Sequence, residues 1–144
     1  MSTTGVAVFD TTLQKTHLWP NELMADLGWE DNRHWAYLAL RTVLHTLRDH
    51  LTVEEAVHLG AQLPMLIRGF YYDGWTLTGT PVKARRKAEV LAPITQAFRH
   101  DERIDPEQVV RAVFRVLSQR ITAGEIADVT HLLPAALREL WPAI

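Results

Sequence analysis

An all-α domain made of two tandem units of about four helices each follows from three features of the 144-residue chain. Apolar residues recur at helical steps, caps and prolines punctuate them, and the second half of the chain repeats the punctuation of the first. No segment alternates β-branched or aromatic residues with polar ones over a strand length.

The first helix is read from Phe9, Leu13, Thr16, Pro20, Leu23 and Leu27, one stripe at alternating steps of four and three. Pro20 lacks an amide donor and crowds the preceding turn, so this segment is expected to kink or to split near Trp19. Gly28 closes it. Asp31 is the expected N-cap of a second helix, whose stripe of Ala36, Ala39, Leu40, Val43, Leu47 and Leu51 spans about five turns. Thr52 with Glu55 three residues on forms a capping box, which starts a third helix that must end before Pro64. Pro64 suits the start of a fourth helix, Met65 to Tyr72, ended by Asp73 and Gly74, and a loop follows from Trp75 to Thr80.

Sliding the chain by about 70 positions lays Arg111 on Arg41, Val113 on Val43, Leu117 on Leu47, Thr122 on Thr52 and Glu125 on Glu55. It also lays Leu133, Pro134 and Arg138 on Leu63, Pro64 and Arg68. Both capping boxes and both Leu-Pro helix starts coincide, and Pro81 to Phe98, interrupted by Pro93, falls over the first helix. Asp105 and Pro106 then cap and open the sixth helix. The expected organisation is one domain over 1–144, with internal units at about 9–74 and 79–141. A unit of about 70 residues buries little alone, so the two are expected to share one core.

Composition narrows the functions. With 47% hydrophobic and 22% charged residues the chain has the make-up of an ordinary globular domain. It has no cysteine, which removes disulfides, thiolate zinc sites, iron-sulfur clusters and cysteine nucleophiles together. A net charge of -2 gives no global field that would gather nucleic acid or an anionic membrane. The start of the chain has no early basic residue and no sustained apolar run, so a cytoplasmic protein without a membrane partner is expected.

Seven histidines raise the question of a metal. The helical spacings that suit one are His45 with Asp49, and Glu54 or Glu55 with His58. None of these histidines recurs at its equivalent position in the second half, and such pairs are common on polar helix faces, so no metal and no cofactor is expected. The polar residues that do recur are Arg68 with Arg138 and Glu55 with Glu125. Two guanidiniums from equivalent positions can clamp a phosphate or carboxylate. The favoured reading is structural, with each arginine paired to a glutamate that also closes its capping box.

Lys83, Arg85, Arg86 and Lys87 form a basic run placed in the first turns after Pro81, where four cations oppose the helix dipole. A phosphate-bearing partner would offset that cost, with Trp75, Tyr71 and Tyr72 nearby to stack on bases. The plainer reading is a solvated face paired with Glu89 and helix-end carboxylates. The aromatic segment Phe70-Tyr71-Tyr72-Asp73-Gly74-Trp75 is read chiefly as core, with one tyrosine facing outward and Trp141 serving the second unit in the same way. No phosphate loop, nucleophile elbow or catalytic constellation can be named.

The run Ala39-Leu40-Arg41-Thr42-Val43-Leu44-His45-Thr46-Leu47-Arg48-Asp49, then Ala61-Gln62-Leu63-Pro64 and Arg68-Gly69-Phe70-Tyr71-Tyr72-Asp73-Gly74-Trp75, resembles the bacterial domain-of-unknown-function family 2267. Gly124 to Val129, Leu133-Pro134 and Leu137 to Trp141 resemble that family's closing segment. The resemblance implies an all-helical prokaryotic protein and carries no activity onto any residue. The expected function is a non-catalytic interaction or assembly module, not an enzyme, with a protein partner that includes a homodimer. The alternative is a small-ligand or nucleic-acid-binding regulator that uses Lys83, Arg85, Arg86 and Lys87 with Trp75, or Arg68 with Arg138.

Overall fold

The computed structural model describes residues 3–143, so Met1, Ser2 and Ile144 of the expected domain lie outside the described residues. Eight helices follow in order: α1 (Ala7–Leu27), α2 (Arg33–His50), α3 (Val53–Ala61), α4 (Met65–Tyr72), α5 (Lys87–Ala97), α6 (Pro106–Arg120), α7 (Ala123–Leu132) and α8 (Ala135–Arg138). Among the described residues there is no strand, and no helix is long and apolar enough to cross a membrane.

Helices α2 and α6 form the centre. The α2 stripe expected from the sequence is buried as far as Leu51, and Leu44, Thr46, Arg48 and His50 are buried beside it, so α2 is covered on more than one face. Helix α6 is buried through Val109, Val110, Ala112, Val113, Phe114, Val116 and Leu117. Helices α1 and α5 each pack against both of them, α4 packs on α1 and α2, and α8 packs on α5. Helix α3 meets α7 across the molecule. There Gln62 donates through Nε2 to Thr122 Oγ1 (3.1 Å) and accepts through Oε1 from the Thr122 amide (3.0 Å).

The expected split into two helices near Trp19 does not occur: α1 is one helix through Pro20. A proline inside a helix costs about 3 kcal/mol, whereas burying an apolar side chain yields about 1.5–3 kcal/mol. Trp19, Leu23 and Met24 are all buried in the turns around Pro20, so packing outweighs the missing hydrogen bond. The stripe is apolar but unevenly used. Leu23 is buried, whereas Phe9 is 52% exposed because the first turns of α1 extend beyond the core.

Two further expectations need correction. Asn32, not Asp31, caps α2, accepting from the Trp35 amide (3.2 Å). Asp31 instead turns the chain in a left-handed conformation (φ 47°), which short polar side chains tolerate better than most. Helix α5 begins at Lys87 and not at Pro81, because the preceding segment is held extended against α2 by a bond from the Val82 amide to Asp49 O (2.7 Å). The other starts lie where expected: Thr52, Thr122 and Asp105 each accept a backbone amide, and Pro106 opens α6.

Arg48 is the charged side chain most deeply set in this frame, at 4% exposure. Its guanidinium donates to Tyr71 O (2.8 Å), Asp73 O (3.1 Å) and the Asp49 carboxylate (2.8 Å), tying the end of α4 to α2. Tyr71, fully buried beside it, donates its hydroxyl to Ala56 O (2.7 Å). Arg48→Met roughly keeps the volume but takes the donor from the buried Tyr71 carbonyl and the part-buried Asp73 carbonyl, and is expected to cost about 3 kcal/mol in chemical denaturation. A second variant reads the α3–α4 contact. A Cβ at Gly60 would meet the Tyr72 hydroxyl and lie 3.1 Å from the Tyr71 ring, so Gly60→Ala is expected to lower stability by about 1–3 kcal/mol in the same assay.

Candidate functional site

The helix starts at Thr52 and Thr122 are half capping boxes. Each threonine hydroxyl accepts the amide of the glutamate three residues on, Glu55 (3.2 Å) and Glu125 (3.3 Å). The glutamate side chains do not reach back to their caps. They meet each other where α3 crosses α7, and hydrogen bonding between the two carboxyls contributes to the state of Glu125. Both residues are 8% exposed, and the Oε1 atom of each is buried with no hydrogen-bond donor. Burial first, then the hydrogen bond and charge of Glu55, then the charge of Asp128, push the Glu125 carboxyl up to about 8. His58 lies one turn along α3, with Nδ1 3.4 Å from Glu55 Oε2.

The recurring arginines do different work from that expected. Neither pairs with a glutamate. Arg68 donates from Nε to Gly60 O (2.9 Å) and from Nη2 to Leu63 O (2.8 Å), closing the end of α3. Arg138 does the same at the end of α7, from Nε to Thr130 O (3.1 Å) and from Nη2 to Leu133 O (2.8 Å). Open carbonyls at a helix C-terminus are natural partners for a cation. The two guanidiniums line separate clefts and do not form one clamp.

The basic run is divided between structure and solvent. Arg86 is the N-cap residue of α5 and pairs with Glu89 (3.8 Å), and Lys87 pairs with Glu107, which also receives Arg111 (3.2 Å). Only Lys87 of the four lies within the helix, so the opposition to the helix dipole expected for the whole run is largely avoided. Among the described residues no carboxylate pairs with Lys83 or Arg85. These two side chains line a cleft of about 430 Å³, which the structure closes with Arg138 and His131 from the end of the chain and His50 from α2. His50 Nδ1 pairs with Thr46 O (2.8 Å), and its Nε2 is buried without a partner. Val82, Ala84, Leu132 and Pro134 complete the wall.

Trp75 does not line this cleft, and it is stacked by Tyr72 (centroids 5.6 Å apart, 23° between planes). The aromatic platform expected beside the basic run is therefore not assembled. Tyr71 is core, Tyr72 is half-buried, and Trp141 stacks on Phe114 at 4.0 Å. Sequence reasoning missed His50 and His131 as cleft residues because they are brought to the run by tertiary packing. It missed the contact between Glu55 and Glu125 although their equivalence was visible.

Residues 16–140 match the profile of a family described as "Uncharacterized conserved protein (DUF2267)". The chain belongs to that family. No curated protein matches it. The DUF2267 match takes in α2–α7 entire, both glutamates, His58 and all the cleft residues named above.

His45, a candidate ligand by spacing with Asp49, is engaged elsewhere: its Nε2 lies 2.6 Å from Phe70 O. Burial lowers its pKa from the ordinary 6.5, with Arg48 and Arg41 adding to the effect and the Phe70 bond and Asp49 opposing it. A neutral ring must then carry its proton on Nε2 and donate it to that carbonyl. Two-bond ¹H–¹⁵N spectra are expected to identify the Nε2–H tautomer at neutral pH. The unfolded chain takes up this proton first on acidification, so the contribution of His45 is complete above pH 6.5 and falls away as pH drops through its folded value. A His45→Gln variant should flatten that part of the stability curve.

Proposed function

We propose that this protein is a non-catalytic interaction module that takes an acidic, partly apolar peptide segment of a partner protein at the cleft beside Lys83 and Arg85. The observation that carries the reading is the pair of unpaired cations, joined by Arg138 and His131 and set among Val82, Ala84, Leu132 and Pro134. Cations without carboxylate partners favour an anionic ligand. The apolar wall suits side chains from a peptide better than a sugar-phosphate backbone, and the net charge of -2 adds no field for nucleic acid.

The same reading treats the chain as two tandem units. Arg68 and Arg138 make matching bonds, and the first cleft, about 620 Å³, uses Leu63, Pro64 and Arg68 where the second uses Leu133, Pro134 and Arg138. Helix α1 lines the first, and the segment before α5 lines the second. Among the described residues, and apart from Arg68 and Arg138, the second cleft holds two cations without a carboxylate partner, Lys83 and Arg85, where the first holds one, Lys15, and that difference makes the second the binding cleft in this proposal.

Fluorescence anisotropy with a labelled peptide of alternating Glu and Leu tests it. Binding is expected to weaken steeply with salt, and the charge reversal Lys83→Glu/Arg85→Glu should reduce it about tenfold or more while leaving the melting temperature unchanged. No binding at low salt, or binding indifferent to the reversal, overturns the proposal. So does tighter binding of single-stranded DNA than of the peptide. Native mass spectrometry of the two proteins tells whether a second copy supplies the segment, in which case a dimer is lost on reversal.

A further inference from the structure

Glu55, His58 and Glu125 stand apart from the basic cleft and need an account of their own. Their potential ligand atoms all lie within 4.8 Å of one another. Two carboxylates brought together at 8% exposure repel unless something positive lies between them, and among the described residues neither has an arginine or lysine partner. Each keeps a buried Oε1 that no donor reaches. An apolar pair or a glutamate-lysine pair would fill the same space at less cost. The contact is thus poorly explained as packing and well explained as a coordination set.

We propose that Glu55, His58 and Glu125 bind one divalent transition-metal ion, with zinc the best fit, which clips α3 to α7. The ligand chemistry points this way: one imidazole with two carboxylates suits zinc, whereas magnesium and calcium take oxygen alone. The geometry agrees. Ligands at about 2.0–2.2 Å from a tetrahedral zinc are roughly 3.3–3.6 Å apart, and His58 Nδ1 already lies 3.4 Å from Glu55 Oε2. Glu55 and His58 are three residues apart on one helix, so they share a face, and Glu125 comes from the helix opposite. His58 has a side chain 56% exposed, so the ion has a route in and a fourth position that water can fill. Binding requires both carboxyls ionised and so releases any proton they hold.

The test uses the full-length, untagged chain, stripped with a chelator and examined by native mass spectrometry and titration calorimetry with zinc, and with magnesium as control. One equivalent of zinc and none of magnesium is expected, with a higher melting temperature for the zinc form. Glu125→Gln preserves shape and removes the like charge, so the metal-free variant should fold at least as well as the parent. Its zinc affinity should nevertheless fall by about tenfold or more, and the exposed His58→Ala should do the same. No zinc uptake by the parent overturns the proposal and leaves a shared proton as the neutralising charge. Undiminished uptake by either variant also overturns it, and moves the ion to other histidines.

Discussion

Helix α2 is too apolar to be satisfied by one neighbour. Burying Leu40, Val43, Leu44, Leu47 and Leu51 at once requires cover from several directions, and α1, α4, α5 and α6 supply it. Helix α6 imposes the same demand through Val113, Phe114 and Leu117. With two such helices in contact, α1 and α5 are drawn into the grooves on either side, and the short helices fall at the ends. The polar sites follow from this arrangement, since the ends of α3 and α7 are what α4, α8 and the arginines close.

Polar side chains are handled in two ways. Arg48, Arg68 and Arg138 spend their donors on backbone carbonyls, and the Tyr71 hydroxyl does the same, so these groups are fixed and their replacement bears on stability. Glu55 and Glu125 have buried acceptors without donors, whereas the exposed Lys83 and Arg85 have charge without counter-charge but are solvated. A folded chain keeps unmatched buried groups at a cost, and that cost separates the carboxylate pair from the scaffold.

Much of the frame was legible in the residues. The α2 stripe, the threonine caps at Thr52 and Thr122, and the Asp105-Pro106 start are local signals that packing left intact. What was not legible depended on distant partners. The passage of α1 through Pro20 rests on Trp19 and Leu23 finding a core, and the late start of α5 rests on Asp49 holding Val82. The cleft itself joins residues from three stretches of chain, His50, the segment 81–85 and residues 131–138, which no spacing rule connects. The carboxylate pair was half legible: the matching Thr-x-x-Glu spacing of Glu55 and Glu125 stands in the sequence, whereas their contact depends on α3 packing against α7.

The first helix has a bearing on how the chain reaches this state. Its outer face is pinned to α6 by Glu22 with Arg120 and by Asp26 with Arg115 (2.7 Å), partners 98 and 89 residues apart. Contacts this remote carry a loop-closure cost that local helix pairs do not. A chain emerging from the ribosome can lay α1 on α2 early, but the other side of α1 stays uncovered until α6 has been made. The closing of α1 on that side therefore waits for the C-terminal half of the chain.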